Sequence, residues 1–367
     1  MRNVERIDPL SVAPLRLRDA LARAIDGGPT VALTELTSEQ SEDLARLPES
    51  AALLIETGGS TGAPKIVALS ANALKISASL SNQTLGAEIG DRWSLSLPLN
   101  HIAGVNQLLR SIELGTDPVE TNAQFISIVP TQLYRALERP DRFLEQLRSA
   151  KKVLIGGAAV PENLVKRGRE SGIKLVTSYG MTEMCGGCIY NGKTLPDVEI
   201  KIDSSGKIAL KGPMRALGYL NNNQANRESF VNEWFITSDY GSINEEGELN
   251  IAGRADDVII SGGEKISTGE VSRILQERFP ESEIFVVGVP DSEWGVALRV
   301  VIANRKFERV NDISQMISLQ EVRNLLGGAL GKVAAPRSLL LLSELPMKSN
   351  GKADLEALAA ATPTEKI

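Results

Sequence analysis

One glycine-rich segment carries the residue types that bind phosphate. Residues 57–65 read Thr-Gly-Gly-Ser-Thr-Gly-Ala-Pro-Lys and follow a short apolar run, Ala51–Ile55. Small residues allow backbone N–H groups to approach an anion, hydroxyls add donors, and Lys65 adds positive charge. A Walker loop is excluded, because it needs lysine directly after glycine and then serine or threonine. Alone, the segment fits a phosphate loop or a flexible surface turn. Its candidate ligands are Thr57, Gly58, Gly59, Ser60, Thr61, Gly62 and Lys65.

The composition of the whole chain excludes several functional classes. Its 367 residues include 40 Lys or Arg and 46 Asp or Glu, and the net charge of −6 argues against bulk nucleic-acid binding. No apolar run of spanning length occurs, so we expect no membrane helix and no signal peptide. Two cysteines and one histidine exclude a disulfide scaffold and most protein-only zinc sites. We expect a soluble, cytoplasmic protein of two or three domains.

Strands and helices alternate from residue 51 to about residue 177, which predicts an α/β domain with a mostly parallel sheet covered on both faces. The helices must place the loops that follow the strands at one edge of that sheet. Strands are predicted at Thr30–Leu36, Ala51–Ile55, Trp93–Leu97, Phe125–Val129, Val153–Ile155 and Lys174–Thr177, and helices at Arg16–Ile25, Ser70–Leu85, Ala103–Leu114, Thr131–Glu138 and Pro161–Ser171.

The pattern changes near residue 196, where shorter strands predict a β-rich segment. Val198–Ile202 and Lys207–Leu210 flank Ser-Ser-Gly, a hairpin signal. After Gly253 the alternation of strands and helices returns. We therefore predict an N-terminal domain at 1–252, a hinge at 253–257 and a small α+β C-terminal domain at 258–367.

Four segments in order resemble the signatures of the adenylate-forming enzymes, the acyl-CoA and aryl-CoA ligases. They are the glycine loop, Ser178–Glu183, Trp234–Asp239 with Gly253–Glu264, and Leu345–Lys352. Small departures from the signatures occur at Gly59, Ile66 and Ser238. The resemblance covers residues 51 to about 358 and implies ATP, Mg²⁺ and CoA. The family is typically much longer ahead of the loop, whereas 56 residues precede it here, so we expect part of the N-terminal portion to be missing or reduced. The N-terminal domain as a whole would bind the adenylate and the acid.

The resemblance also implies how the nucleotide is bound. Thr182 would bind the α-phosphate, and Glu183 would hold Mg²⁺, a cation that takes oxygen ligands. Asp239 would accept the ribose hydroxyls, with Arg254 supporting the ribose or a phosphate. The remaining nucleotide contacts would come from Gly157, Ser178, Tyr179, Gly180 and Met181.

The C-terminal domain would act as a mobile lid. In the family, Lys352 reaches the reacting carboxylate oxygen and the α-phosphate, where a cation stabilises the transition state. The domain then rotates about Asp256, and Gly262 and Gly263 line the pantetheine tunnel. The alternative to a role in the tunnel is that those glycines form an ordinary β-turn.

The acid pocket is predicted around one helix. His101 stands at the family's Pro-x-x-His position, which borders the acyl pocket, and we expect a pocket role for it. Ala103, Gln107 and Arg110 fall on one helix face, with Arg110 one or two turns deeper. A buried arginine needs an anion, so the acid would carry a second carboxylate; a structural ion pair is the alternative.

Segments around His101, Val129, Gly156 and Tyr179 most closely resemble the 2-succinylbenzoate–CoA ligases of menaquinone synthesis, whose acid has two carboxylates. Cys185 to Cys188 (Cys-Gly-Gly-Cys) could be a metal or redox pair, but we favour a small-residue loop beside the acid pocket. The rival functions are a CoA ligase for another acid and an inactive adenylate-binding protein. The expected partners are the acid, ATP and CoA, with no nucleic acid or membrane; a homo-oligomer stays open.

Overall fold

The computed structural model describes residues 3–37, 40, 44, 47–57, 64–254, 258–309, 317–347 and 353–367. These form two compact units, Met1–Thr237 with Ile243–Asn250, and Ser238–Ser242 with Ile251–Ile367. The predicted hinge residue Asp256 lies outside the described residues, so the hinge stays a prediction.

The first unit contains the predicted α/β and β-rich segments. Its helices are α1 (Pro14–Ile25), α2 (Ala71–Leu85), α3 (Ile102–Glu113), α4 (Pro130–Glu138), α5 (Arg142–Ser149), α6 (Glu162–Glu170) and α7 (Asn223–Ser229). Its strands are β1 (Val4–Arg6), β2 (Thr30–Ala32), β3 (Ala51–Thr57), β4 (Lys65–Ser70), β5 (Phe125–Ile128), β6 (Lys152–Ile155), β7 (Leu175–Met181), β8 (Gly186–Tyr190), β9 (Lys193–Thr194), β10 (Glu199–Ile202), β11 (Lys207–Lys211), β12 (Gly218–Tyr219) and β13 (Phe230–Val231). Two further strands continue into the second unit, β14 (Trp234–Ile243) and β15 (Leu249–Arg254).

Two sheets of the first unit begin parallel and continue antiparallel. One has the order β1-β2-β3-β4-β12 and the other β5-β6-β7-β8-β9. Strands β1-β2-β3 and β5-β6-β7 are parallel, whereas β4, β12, β8 and β9 join antiparallel. The short connections β3–β4 and β7–β8 explain the change, because a parallel pair needs a crossover of a dozen or more residues. The α/β class is confirmed, and the glycine loop lies between two antiparallel strands.

The second unit contains the residues predicted to form the α+β domain, together with Ser238–Ser242 and residues 251–254. Its further strands are β16 (Val258–Ser261), β17 (Glu264–Ser267), β18 (Glu283–Asp291), β19 (Gly295–Ala303), β20 (Ser338–Leu342) and β21 (Glu365–Lys366), and its helices are α8 (Thr268–Arg278), α9 (Leu319–Leu330) and α10 (Leu355–Ala360). A sheet of order β18-β19-β20-β21 packs on a core that includes Val271, Leu275, Val300, Leu326 and Leu339.

Most predicted elements are present, and one predicted strand is wrong. At 93–97 only two isolated bridges form, Trp93 with Phe125 and Ser94 with Val119. The backbone N–H groups of Ser96 and Leu97 instead donate to the side-chain amide oxygen of Gln107, at 3.2 and 3.3 Å. A side chain from helix α3 therefore takes the hydrogen bonds that a neighbouring strand would take.

Two predicted boundaries also shift. The strand expected to end at Leu36 ends at Ala32, and the strand expected to end at Thr177 continues to Met181. Ser70 caps helix α2 as predicted, because its hydroxyl accepts from the backbone N–H of Ala73 at 3.1 Å. Within the described residues, no helix has the length and hydropathy needed to cross a membrane.

Two helical glycines should respond oppositely to alanine. A Cβ at Gly104 in α3 would lie 2.1 Å from the carbonyl oxygen of Pro98, whereas a Cβ at Gly328 in α9 would meet nothing within 4 Å. We expect Gly104→Ala to lower the free energy of unfolding by about 2 kcal/mol or more. Gly328→Ala should raise it by about 0.5–1 kcal/mol, since it removes backbone freedom from the unfolded chain. Calorimetric unfolding of both variants measures this, and equal effects would contradict the close approach at Gly104.

Candidate active site

The carboxyl ends of three parallel strands carry one group of predicted nucleotide residues. Gly157 follows β6, and Ser178, Tyr179, Gly180 and Met181 form the end of β7. The N–H of Gly156 donates to the carbonyl of Ile128 at the end of β5. Ligands of open α/β sheets bind outside such carboxyl ends. The position therefore suits the predicted nucleotide contacts, whose individual roles stay predictions.

A tight turn after β7 presents the next two predicted residues. Thr182 and Glu183 occupy a 3-10 turn, and the N–H of Cys185 donates to the carbonyl of Thr182 at 3.0 Å. A Cβ at Gly180 would lie 1.9 Å from the carbonyl oxygen of Gly186, so β7 and β8 can approach this closely only with glycine. The glycine of this motif is thus required by the backbone that holds Thr182 and Glu183 at the turn.

The carboxylate of Glu183 contacts a tyrosine from the other sheet. The hydroxyl of Tyr219 donates to Glu183 Oε1 at 2.7 Å. Tyr219 lies on β12, which pairs with β4, and the Nζ of Lys65 lies 4.9 Å from the centroid of its ring. The structure thus brings Lys65 and Glu183, both predicted site residues, to one side chain. Sequence reasoning missed Tyr219, since no local spacing marks it.

Glu183 fits a magnesium site whose ligands come partly from the protein and partly from the substrate. The described residues hold no group of three or more His, Cys, Asp or Glu that could bind a metal by themselves. Mg²⁺ is commonly held by one or two carboxylates together with substrate phosphates and water. A single carboxylate, oriented by a hydrogen bond from Tyr219, supplies the oxygen donor that such a site needs.

The predicted ribose residues form an ion pair in the second unit. Arg254 Nη1 lies 3.4 Å from Asp239 Oδ1, and the Asp239 side chain is only 7% exposed while that of Arg254 is 47% exposed. A half-exposed pair of this kind adds little stability. The buried carboxylate with its exposed cationic partner is compatible with the predicted ribose role.

Gly262 and Gly263 form the turn of the β16–β17 hairpin. Both have positive φ, 56° and 87°, which a two-residue hairpin turn of this type requires. A Cβ at Gly262 would lie 2.4 Å from the ring of Trp294. The place of these glycines in a pantetheine tunnel stays a prediction. The predicted residues Gly58, Gly59, Ser60, Thr61, Gly62, Asp256 and Lys352 lie outside the described residues.

Helix α3 carries the predicted acid-pocket residues. His101 is its N-cap, Ala103 is exposed, and Gln107 is fully buried one turn further along. The Gln107 amide is engaged within the protein, because its Nε2 donates to the hydroxyl of Ser96 at 2.7 Å. Gln107 therefore fixes the segment beside the helix, and any contact it makes with an acid stays a prediction.

Arg110 is a buried cation with no carboxylate partner among the described residues. Only 3% of it is exposed. Its Nη1 and Nη2 donate to the hydroxyls of Ser127 and Tyr190 at 3.5 and 3.3 Å, and its Nε has no acceptor within the described part of the chain. Its guanidinium carbon lies 4.6 Å from the ring centroid of Trp93. A guanidinium has five N–H donors, and two of those of Arg110 donate to hydroxyls of the described residues. Its contact with an acid stays a prediction.

The two cysteines are buried core residues. Both thiols are free, and both residues have no exposed surface. The carbonyl of Cys185 accepts from Asn106 Nδ2 at 2.8 Å and from the hydroxyl of Ser77 at 3.2 Å, which ties the turn to α3 and α2. These contacts favour the small-residue loop over a metal or redox pair.

Comparison with known proteins identifies the family. Residues 13–220 match the family described as AMP-binding enzyme, and residues 279–352 match the AMP-binding enzyme C-terminal domain. The chain therefore belongs to the AMP-binding enzymes, which confirms the resemblance to adenylate-forming enzymes.

Within the AMP-binding enzymes, the chain is similar to individual proteins of named activity. The chain is 31% identical to a probable 2-succinylbenzoate–CoA ligase of Mycobacterium tuberculosis, over 95% of this chain and 96% of the relative. Its fold is similar to that of the o-succinylbenzoate CoA synthetase of Bacillus subtilis in complex with the acyl-adenylate intermediate, with a TM-score of 0.71 and 26% identity over 99% of this chain and 84% of that one. The same synthetase in complex with ATP and magnesium ion matches with a TM-score of 0.68 and 26% identity, over 96% and 83% of the chains.

The cysteines should be inert in the folded protein. Burial raises the pKa of Cys188 to about 12 and raises the pKa of Cys185 well above its usual value. Since the thiolate is the reactive form, both thiols should stay protonated and unreactive at pH 8. We expect no iodoacetamide labelling of the native protein over an hour and two labels per chain in guanidinium. Rapid native labelling at either cysteine would contradict the burial of this loop.

Proposed function

We propose that this protein ligates 2-succinylbenzoate to CoA, using ATP and forming an acyl-AMP intermediate. The products are 2-succinylbenzoyl-CoA, AMP and pyrophosphate. The observation that supports this substrate is the burial of Arg110, whose guanidinium has no carboxylate partner in the described residues. A charge in that position needs an anion, and a second carboxylate on the substrate supplies one. The names of the relatives support the same acid.

The first step joins the acid to AMP. An oxygen of the aliphatic carboxylate of 2-succinylbenzoate attacks the α-phosphorus of ATP, the bond from that phosphorus to the bridging oxygen breaks, and pyrophosphate leaves. Thr182 donates to the α-phosphate and Lys65 offers charge to the phosphates. Glu183, together with the triphosphate, would hold Mg²⁺, which would neutralise phosphate charge and so lower the barrier to attack by an anion. Lys352 stabilises the charge that develops on the reacting oxygens.

The second step transfers the acyl group to sulfur. The thiol sulfur of CoA attacks the acyl carbonyl, the bond from carbon to the AMP oxygen breaks, and the thiol proton passes to solvent. We assign Gly262 and Gly263 to the pantetheine path and Asp256 to the hinge that exchanges them with Lys352. ATP and CoA are both cytoplasmic metabolites, so we place the reaction in the cytoplasm.

A substrate panel tests this function directly. The protein is incubated with ATP, Mg²⁺ and CoA together with 2-succinylbenzoate, benzoate or a medium-chain fatty acid, and AMP and acyl-CoA are measured by mass spectrometry. Of the three acids, we expect only 2-succinylbenzoate to give both AMP and acyl-CoA. Products with a different acid would retain the chemistry and refute the substrate. ATP binding without AMP from any acid would favour an inactive adenylate-binding protein.

Arg110 should determine the preference for a diacid. The matched substrate is 4-oxo-4-phenylbutanoate, which lacks only the ring carboxylate of 2-succinylbenzoate. Because a buried charge pair that loses one member costs about 2–5 kcal/mol, the wild type should favour the diacid by about 30-fold or more in kcat/KM. In Arg110→Ala that preference should fall to about threefold or less. An unchanged preference would refute the role, and Arg148→Ala, on the surface of α5, is the control.

Lys352 should act in only one half-reaction. We expect Lys352→Ala to lower acyl-AMP formation by about 100-fold or more, because it removes a charge that stabilises the transition state. Thioester formation from supplied acyl-AMP and CoA should change by no more than about threefold, since that step does not use the lysine. Rapid-quench measurement of each half-reaction separates the two, and equal losses would contradict the assignment.

A further inference from the structure

We propose that Tyr219 is a positioning residue that couples the magnesium ligand to the phosphate-binding lysine. The inference rests on the proposed function, which places ATP at Glu183 and Lys65. Within that site, Tyr219 touches one residue with its hydroxyl and the other with its ring. Lys65 at the start of β4 and Glu183 in the turn after β7 are thereby held by one side chain.

The backbone of Tyr219 is held in place from both sides. Its N–H donates to Asn226 Oδ1 at 2.7 Å, and Asn226 Nδ2 donates to its carbonyl at 2.8 Å. A Cβ at Gly218 would lie 2.8 Å from the same amide oxygen, and Gly218 has a φ of 144°, so only glycine suits the residue before it. Strand pairing sets Tyr219 opposite Val67.

The ring of Tyr219 is equally fixed. It packs edge-on against Phe230, with the ring centroids 5.2 Å apart, and Tyr219 is 6% exposed. A buried ring with a clamped backbone has little freedom to move its hydroxyl. The position of that hydroxyl is therefore set by the fold rather than by a ligand.

The hydroxyl fixes the carboxylate of Glu183. An O–H to carboxylate hydrogen bond of 2.7 Å is charge-assisted and holds the carboxylate in one orientation. The turn itself is held too, because the N–H of Ala216 donates to the carbonyl of Glu183 at 2.8 Å. Groups that orient a metal ligand in this way typically change metal affinity by about 10- to 100-fold when they are removed.

The ring of Tyr219 holds the ammonium group of Lys65 in position. With Nζ 4.9 Å from the ring centroid, the ammonium is within the range of a cation–π interaction. Lys65 directly begins β4, and its carbonyl accepts from the hydroxyl of Thr57 at 3.3 Å, so its backbone is also fixed. The hydroxyl and the ring of Tyr219 therefore have separable effects, one on Mg²⁺ and one on the phosphates.

Two variants of Tyr219 test this separation. Calorimetry measures ATP binding to the whole protein, without acid or CoA, in EDTA and over a series of Mg²⁺ concentrations. Mg²⁺ is expected to increase the affinity for ATP, and this increase is called the Mg²⁺ effect. Tyr219→Phe keeps the ring, so ATP affinity in EDTA should be unchanged. The Mg²⁺ concentration that gives half of the Mg²⁺ effect should rise about tenfold or more, because the hydroxyl no longer orients Glu183. Tyr219→Leu should show that rise and also a loss of about two- to fivefold in EDTA.

Matched controls separate a failure of the role of Tyr219 from a failure of the proposed ATP and Mg²⁺ site. Tyr134→Phe removes the hydroxyl of another tyrosine that is 7% exposed and should leave both measurements unchanged. Glu183→Gln should abolish the Mg²⁺ effect. If Glu183→Gln abolishes it while Tyr219→Phe behaves as wild type, the inference is refuted and the proposed site stands. If neither variant alters the Mg²⁺ effect, the metal role of Glu183 is refuted as well.

Thermal unfolding guards against a general structural effect. Tyr219→Phe keeps the packing against Phe230 and the clamp from Asn226, so its unfolding midpoint without ligand should stay within about 4 °C of the wild type. Partial unfolding would weaken ATP binding in EDTA and in Mg²⁺ alike. A parallel loss in both conditions, in both Tyr219 variants, would therefore contradict the separate roles of hydroxyl and ring.

Discussion

A buried positive charge, which has no carboxylate partner among the residues that the structure describes, constrains the centre of the first unit. The guanidinium of Arg110 lies against the ring of Trp93 and is hydrogen-bonded to the hydroxyls of Ser127 and Tyr190. Neutral hydroxyls and a ring reduce the cost of burying the charge, but they do not neutralise it. Trp93 is itself held, since its indole N–H donates to Asn82 Oδ1 at 3.0 Å. The packing of α2, α3 and β5 thus holds a buried cation, for which we propose an anionic ligand.

Connection length is the second constraint, because it decides which strands can pair antiparallel. The short connections β3–β4 and β7–β8 reverse the chain at the ends of two parallel sets of strands. One reversal places Lys65 at the start of β4, and the other presents Glu183 on a 3-10 turn. Tyr219 then joins the two through its hydroxyl and ring. The predicted nucleotide-site residues Lys65 and Glu183 come together because both connections are too short for a crossover helix.

Local signals in the sequence predicted much of this arrangement. The Ser70 cap, the hairpin Glu199–Lys211 and the helix that carries Arg110 all depend on nearby residues, and all are present. Helical spacing placed Ala103, Gln107 and Arg110 on one face of that helix, where Gln107 and Arg110 are buried and Ala103 is exposed. Interactions between distant residues were not predictable in this way. The amide of Gln107 replaced a strand partner at Ser96, and Tyr219 contacts Glu183 across 36 positions of sequence.

Isotope transfer tests the central claim, that the aliphatic carboxylate attacks ATP while the ring carboxylate is bound as a second anion. 2-Succinylbenzoate labelled with ¹⁸O only in its aliphatic carboxylate is converted with ATP, Mg²⁺ and CoA, and the products are weighed by mass spectrometry. Attack at the α-phosphorus followed by cleavage of the acyl carbon–oxygen bond predicts one ¹⁸O in AMP and none in pyrophosphate. Unlabelled AMP, or label in AMP only when the ring carboxylate carries it, would contradict the account.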